Sequence, residues 1–108
     1  MNASLPDPII TFFAVSNGAD AVSLDQCFAE HAVVPDEKQV HHGRAAIGAW
    51  LREARRKYAY TVEPLDVALQ DSGLKVRARV SGNFPGSPVE LSHLFRLSGD
   101  RIEFLEIG

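Results

Sequence analysis

The hydrophobic pattern changes its period once, near the middle of the chain. In the first half apolar residues recur at helical spacing: Ile9, Phe12 and Phe13 form one stripe, and Ile47, Trp50, Leu51 and Ala54 form another. In the second half the repeat is two. Leu74, Val76, Ala78 and Val80 alternate with Lys75, Arg77, Arg79 and Ser81, and Val89, Leu91, His93, Phe95 and Leu97 alternate with Glu90, Ser92 and Arg96. Such alternation marks strands with one buried and one wet face.

Local signals bound these elements. Asp7 is placed to cap the first helix with Pro8 at its first position, where the missing N–H costs nothing, and Asn17-Gly18 ends it. Asp20 caps a second, short helix that turns Leu24, Cys27 and Phe28 to one side. Ala32 to Asp36 reads as a short strand, Val40 to Gly43 follows a turn, and a third helix starts at Arg44. The strand signal begins at Tyr58 and runs to Leu69, with Pro64 marking a bulge or an edge. Turns follow at Asp71-Ser72-Gly73, through Asn83 to Pro88, and at Gly99-Asp100, before a closing strand from Ile102 to Ile107. The expected class is α+β, with three N-terminal helices packed on one face of an antiparallel meander.

Composition narrows the function classes. With 108 residues the chain makes one domain, 1–108, with one core. A net charge of -3 argues against nonspecific nucleic-acid binding, which needs surplus Lys and Arg. Cys27 is the only cysteine, so no internal disulfide forms, and core filler is its expected role. Met1 to Pro8 carries no basic region, and the apolar run Ile9 to Val15 is too short to span a bilayer. A cytoplasmic protein without membrane contact is the expectation. The cluster Arg52, Arg55, Arg56 and Lys57 is expected as solvated charge at a helix C-terminus.

Two residues stand out chemically. His93 projects a polar ring onto a face otherwise made of Leu91 and Phe95. Asp36 ends an apolar strand just after Pro35, where burial would raise its pKa and make it a base. His41 and His42 are adjacent and so point to opposite faces of a strand, a poor geometry for chelation; neither a metal site nor a cofactor is expected. No phosphate-cradling glycine loop and no nucleophile elbow appears.

The order of these features resembles a known superfamily. A helix ending in Asn17-Gly18, then Phe28-Ala29-Glu30-His31-Ala32-Val33-Val34, then His42-Gly43-Arg44-Ala45-Ala46-Ile47 leading to Trp50 and a meander, is similar to nuclear transport factor 2-like proteins. Within them the SnoaL-like and ketosteroid-isomerase-like proteins look most alike. The resemblance implies a cone, or cystatin-like roll: a strongly curved sheet enclosing a pocket for a small apolar molecule. Phe12, Phe13, Trp50, Tyr58, Tyr60, Phe84, Phe95 and the rim residue His42 would line it. It also implies a homodimer through the sheet's outer face, at Arg77, Arg79, Arg96 and Leu94.

Carried over position by position, Asp36 falls where ketosteroid isomerases hold their general base and His93 where they hold a protonated aspartate. Phe12 falls where they hold a tyrosine donor, which argues against that reaction itself. SnoaL-like cyclases pair an acid with a histidine; His93 stands for the histidine, while the acid has no clear counterpart, Glu106 being a candidate without a fixed register. The implied chemistry is proton transfer of isomerase or cyclase type on a small apolar carbonyl compound, catalysed by Asp36 and His93. The alternative is a noncatalytic binding or dimerisation module. Convergence of Asp36 and His93 on one point separates the two.

Overall fold

The computed structural model describes residues 5–18, 24–36, 39–70 and 73–108. The elements are α1 (Asp7–Ser16), α2 (Leu24–Cys27), β1 (Phe28–Pro35), β2 (Val40–His42), α3 (Gly43–Tyr58), β3 (Thr61–Gln70), β4 (Gly73–Ser81), β5 (Val89–Ser98) and β6 (Arg101–Ile107). All six strands join one sheet in the order β2-β1-β6-β5-β4-β3. Four of its five pairings are antiparallel, and β1 with β6 is parallel. The meander is thus extended by two strands from the first half of the chain, giving a curved, unclosed six-stranded sheet with the helices on its inner face.

Local boundaries differ from the sequence pattern in instructive ways. Asp7 is already helical, and Pro6 precedes the helix without any side-chain cap. The first strand starts at Phe28 rather than Ala32, because Phe28 pairs with Ile102 across the parallel seam. Helix α3 continues to Tyr58 and stops at Ala59, which takes a left-handed conformation, so β3 begins only at Thr61. Pro64 does both things asked of it: the β3–β4 register shifts between Pro64 and Asp66, and β3 is an edge strand. Asp20 and the pair Asp71-Ser72, expected at a cap and a turn, lie outside the described residues.

The core is aromatic where α1 meets the sheet. Phe12 touches Phe13, Phe28 and Phe95 edge to face, at centroid distances of 5.3, 5.9 and 5.6 Å. Ile9, Ile47, Val76, Ile102 and Leu105 complete the packing, all fully buried. Cys27 is buried among them, and desolvation pushes its thiol pKa up to about 12, which keeps it an unreactive filler.

The sheet's outer face is a ladder of ion pairs. Arg77 bonds Asp66 and Glu90 (2.9 Å to the latter), Arg79 lies 3.6 Å from Glu63, and Arg96 sits over the Phe104 ring at 4.4 Å. All of these side chains are substantially solvated, so each pair adds little stability.

Polar clasps hold α1 to the edge strand. The Asn17 side chain acts as a short surrogate strand: its Nδ2 donates to the Val62 carbonyl (2.9 Å) and its Oδ1 accepts from the Val62 N–H (2.6 Å). The substitution Asn17→Ala unpairs both backbone groups. Chemical denaturation is expected to show a loss of about 1–3 kcal/mol, against well under 1 kcal/mol for an exposed surface control.

Candidate functional site

Between α1, α3 and the inner face of β3, β4 and β5 lies a cavity of about 530 Å³. Of the residues expected to line it, Phe12, Trp50, Tyr58, Tyr60 and Phe84 do so, together with His93. Helix periodicity explains the wall from α3: Trp50, Ala54 and Tyr58 are four residues apart and form one ridge. The β4–β5 connection supplies Phe84, whose ring meets Tyr58 edge to face at 5.9 Å. Gly82 lets this connection come close, since a Cβ there would lie 2.8 Å from Tyr60 Cβ and 2.9 Å from the Tyr58 carbonyl oxygen. The Asn83 N–H donates to that same carbonyl at 2.8 Å.

His93 is the polar singularity of this cavity. Strand alternation turns it inward with Phe95, and it is 3% exposed. Its ring packs on Phe13 at 5.4 Å and stacks on Phe95 at 6.2 Å. Its Nδ1 is buried with no hydrogen-bond partner among the described residues. Desolvation lowers its pKa to about 4, with the Leu91 backbone pulling weakly the other way, so the ring is neutral at ordinary pH. Two other hydroxyls of the wall pair with each other: Ser16 Oγ and Tyr60 Oη lie 3.0 Å apart.

Several expected residues lie elsewhere. Phe13 and Phe95 are core side chains behind His93 and do not line the cavity, because α1 presses them into the sheet. His42 is exposed on the outward side of β2, opposite Val33, immediately before α3. Glu106 is exposed and pairs across the outer face with Leu94. Asp36 is exposed, and its backbone N–H donates to the Gln39 carbonyl at 2.7 Å. It lines a second hollow of about 730 Å³ between β2 and α3, not the cavity that holds His93. Asp36 and His93 thus line different hollows. No carboxylate is among the residues that line the inner cavity.

Two features escaped the sequence pattern. His41, the inward member of the histidine pair, stacks on Trp50 at 5.5 Å, and its Nε2 is buried with no partner among the described residues. Arg55 is not a solvated head: it donates to the Ser16 carbonyl (2.8 Å) and the Tyr60 carbonyl (2.5 Å) and lies over the Tyr60 ring at 5.2 Å. Its place one turn after Leu51, beside the apolar stripe, was the available signal. Among the described residues no group of three or more His, Cys, Asp or Glu is arranged to hold a metal ion. No described helix is long and apolar enough to cross a membrane.

Comparison with known proteins gives these features a setting. The family model for the SnoaL-like domain matches residues 9–104. A candidate polyketide cyclase from Sinorhizobium meliloti, protein SMa1630, superposes with a TM-score of 0.89 at 40% identity, over 96% of this chain and 95% of that one. A Catenulispora acidiphila protein with a ketosteroid isomerase-like fold, solved with trimethylamine, gives 0.82 at 18% identity, over 97% and 86%. A candidate isomerase of the SnoaL-like family from Agrobacterium tumefaciens gives 0.76 at 19%, over 93% and 92%. A search of curated proteins gave no match.

The buried His93 makes stability depend on pH. Its folded pKa of about 4 lies below the ordinary 6.5, so the unfolded chain binds the extra proton between these values. This contribution is therefore complete above pH 6.5 and is lost as pH falls toward 4. Stability should drop by roughly 3 kcal/mol across that window. In His93→Phe, which suits the surrounding rings, that part of the slope should vanish; urea melts at a series of pH values measure it.

Proposed function

This chain belongs to the SnoaL-like domain family, and on that footing we propose that its cavity binds a small apolar molecule bearing a carbonyl or enol oxygen. The observation that carries the proposal is His93 in the wall of a mostly apolar cavity, its Nδ1 buried and without a partner among the described residues. A buried imidazole nitrogen without a partner costs free energy that a ligand oxygen would recover. Rings on the wall, Phe12 and Phe84 among them, supply the apolar contact, and His93 supplies orientation. Binding, rather than catalysis, is the reading best supported, because no carboxylate lines the cavity beside His93, and Asp36, the base assigned by resemblance, lies beyond the α3 ridge.

A second reading is favoured by the likeness to the Sinorhizobium meliloti protein, itself a candidate polyketide cyclase. In it His93 and Asp36 act together in proton transfer of isomerase or cyclase type, without a cofactor. A neutral imidazole with so low a pKa is a weak base, which counts against it. A homodimer through the sheet's outer face and a cytoplasmic setting belong to both readings. For the dimer, Arg77 and Arg79 are already matched within the chain, which leaves Leu94 and the Arg96–Phe104 pair as the contact.

2-Tetralone, a bicyclic ketone with acidic α-hydrogens, tests both readings. It is expected to shift the emission of Trp50, the single tryptophan, and His93→Phe should weaken that binding by about tenfold, as for one buried hydrogen bond. Exchange of its α-hydrogens in deuterated water, followed by nuclear magnetic resonance, is expected to match buffer alone. Acceleration by the protein that disappears in both Asp36→Asn and His93→Phe would establish the catalytic reading instead. Absence of any binding would remove both.

A further inference from the structure

The inner cavity and the hollow beside β2 are not independent. Both are bounded by the same three residues of α3, Trp50, Ala54 and Tyr58. This shared ridge has a large ring at each end and the smallest chiral side chain between them. A low saddle at Ala54 is therefore the shortest way from one chamber to the other. On the far side, His41 lies against Trp50 with a buried, unpartnered Nε2, which repeats the situation of His93 on the near side. Each chamber thus has one histidine with a buried nitrogen that has no partner among the described residues. The inner wall is mostly apolar, and the outer one joins Ala46, Ala49 and Trp50 to the polar Asp36, Gln39, Glu53 and Lys57.

Glu53 is held through both oxygens by Arg56 at 2.8 Å, and the Lys57 ammonium lies over the Tyr58 ring at 5.3 Å. Asp36 adds a second carboxylate to the same hollow, so an anionic ligand end is opposed there, while an uncharged oxygen can pair with His41.

We propose that the two hollows form one elongated site, in which Ala54 sets the length of the ligand. Its ligand class is a rigid apolar ring system with an uncharged oxygen at each end, one meeting His93 and the other His41. This extends the binding reading above and rests on it. Ala54 is then a specificity-determining residue, and His41 the second polar anchor.

The test uses two phenols of different length, read by Trp50 emission and by calorimetry. 2-Naphthol, a stable mimic of the 2-tetralone enol, fits the inner cavity; 6-(4-hydroxyphenyl)-2-naphthol is one ring longer and carries the second oxygen. The longer compound should bind the wild type about tenfold tighter or more, through the added buried ring. Ala54→Phe, or Ala54→Met should the larger ring prevent folding, should weaken the longer phenol about tenfold more than it weakens 2-naphthol, since Ala54 also borders the inner cavity. His41→Phe keeps a ring on Trp50, removes the nitrogen, and should weaken only the longer phenol, by about three- to tenfold. Equal effects on both phenols, or no effect on either, would overturn the elongated site while leaving the inner cavity standing. If 2-naphthol itself does not bind, the binding reading and this extension both fail.

Discussion

Arg55 is the side chain on which the shape of the binding region most depends. Its guanidinium reaches the carbonyl that ends α1 and the carbonyl that starts β3, and its flat face rests on the Tyr60 ring. Charge-assisted bonds to partly buried carbonyls are stronger than those on an open surface, and a planar fork can satisfy two at once. The end of α1, distant in sequence, is thereby fixed to the α3–β3 corner around one point. The Ser16–Tyr60 hydroxyl pair and the Asn17 bridge to Val62 then close beside it. Without this junction, the edge strand β3 would be tied to α1 by apolar contact alone, and the cavity wall would lose its register.

The aromatic cluster beneath the cavity has the opposite character. Phe12, Phe13, Phe28 and Phe95 pack edge to face and supply non-directional burial. His93 sits among them as a polar group in an apolar place, with its charged form suppressed by burial. A phenyl ring would serve the core better, since it carries no nitrogen to desolvate. The histidine therefore costs stability in a domain this small, and the return for that cost is to be sought in what occupies the cavity.

Much of the fold was legible in the sequence because hydrophobic period is a local property. The alternations through Leu74–Val80 and Val89–Leu97, the stop at Asn17-Gly18 and the irregularity at Pro64 all depend on near neighbours. Where tertiary pairing decides, the pattern was silent. Phe28 is a strand residue because Ile102 lies beside it, and Tyr58 is helical because Ala59, not Tyr58, makes the left-handed turn. The inward histidine of β5 was legible from its neighbours on the same face. Asp36 was singled out by its place at the end of an apolar strand and by likeness to other proteins, but neither shows which way a strand end faces, and it lines the outer hollow. Arg55 was misread for a related reason: composition shows where charges cluster, but not which of them finds a carbonyl across the molecule.

The parallel pairing of β1 with β6 also dictates the order in which this domain can assemble. Strands β3, β4, β5 and β6 are joined by successive hairpins and pair with near neighbours, so that half of the sheet can zip locally. The pairing of Phe28 with Ile102 instead closes a loop spanning most of the chain, which carries a large entropic cost before any contact repays it. During vectorial synthesis β1 and the helices must wait, apolar faces unpaired, until the last strand has been made. A chain cut short before Arg101 would keep its helices, the three-stranded β3–β4–β5 meander and the β1–β2 pair, but lose the seam that joins them. The architecture thus makes emergence of β6 a condition for sealing the core.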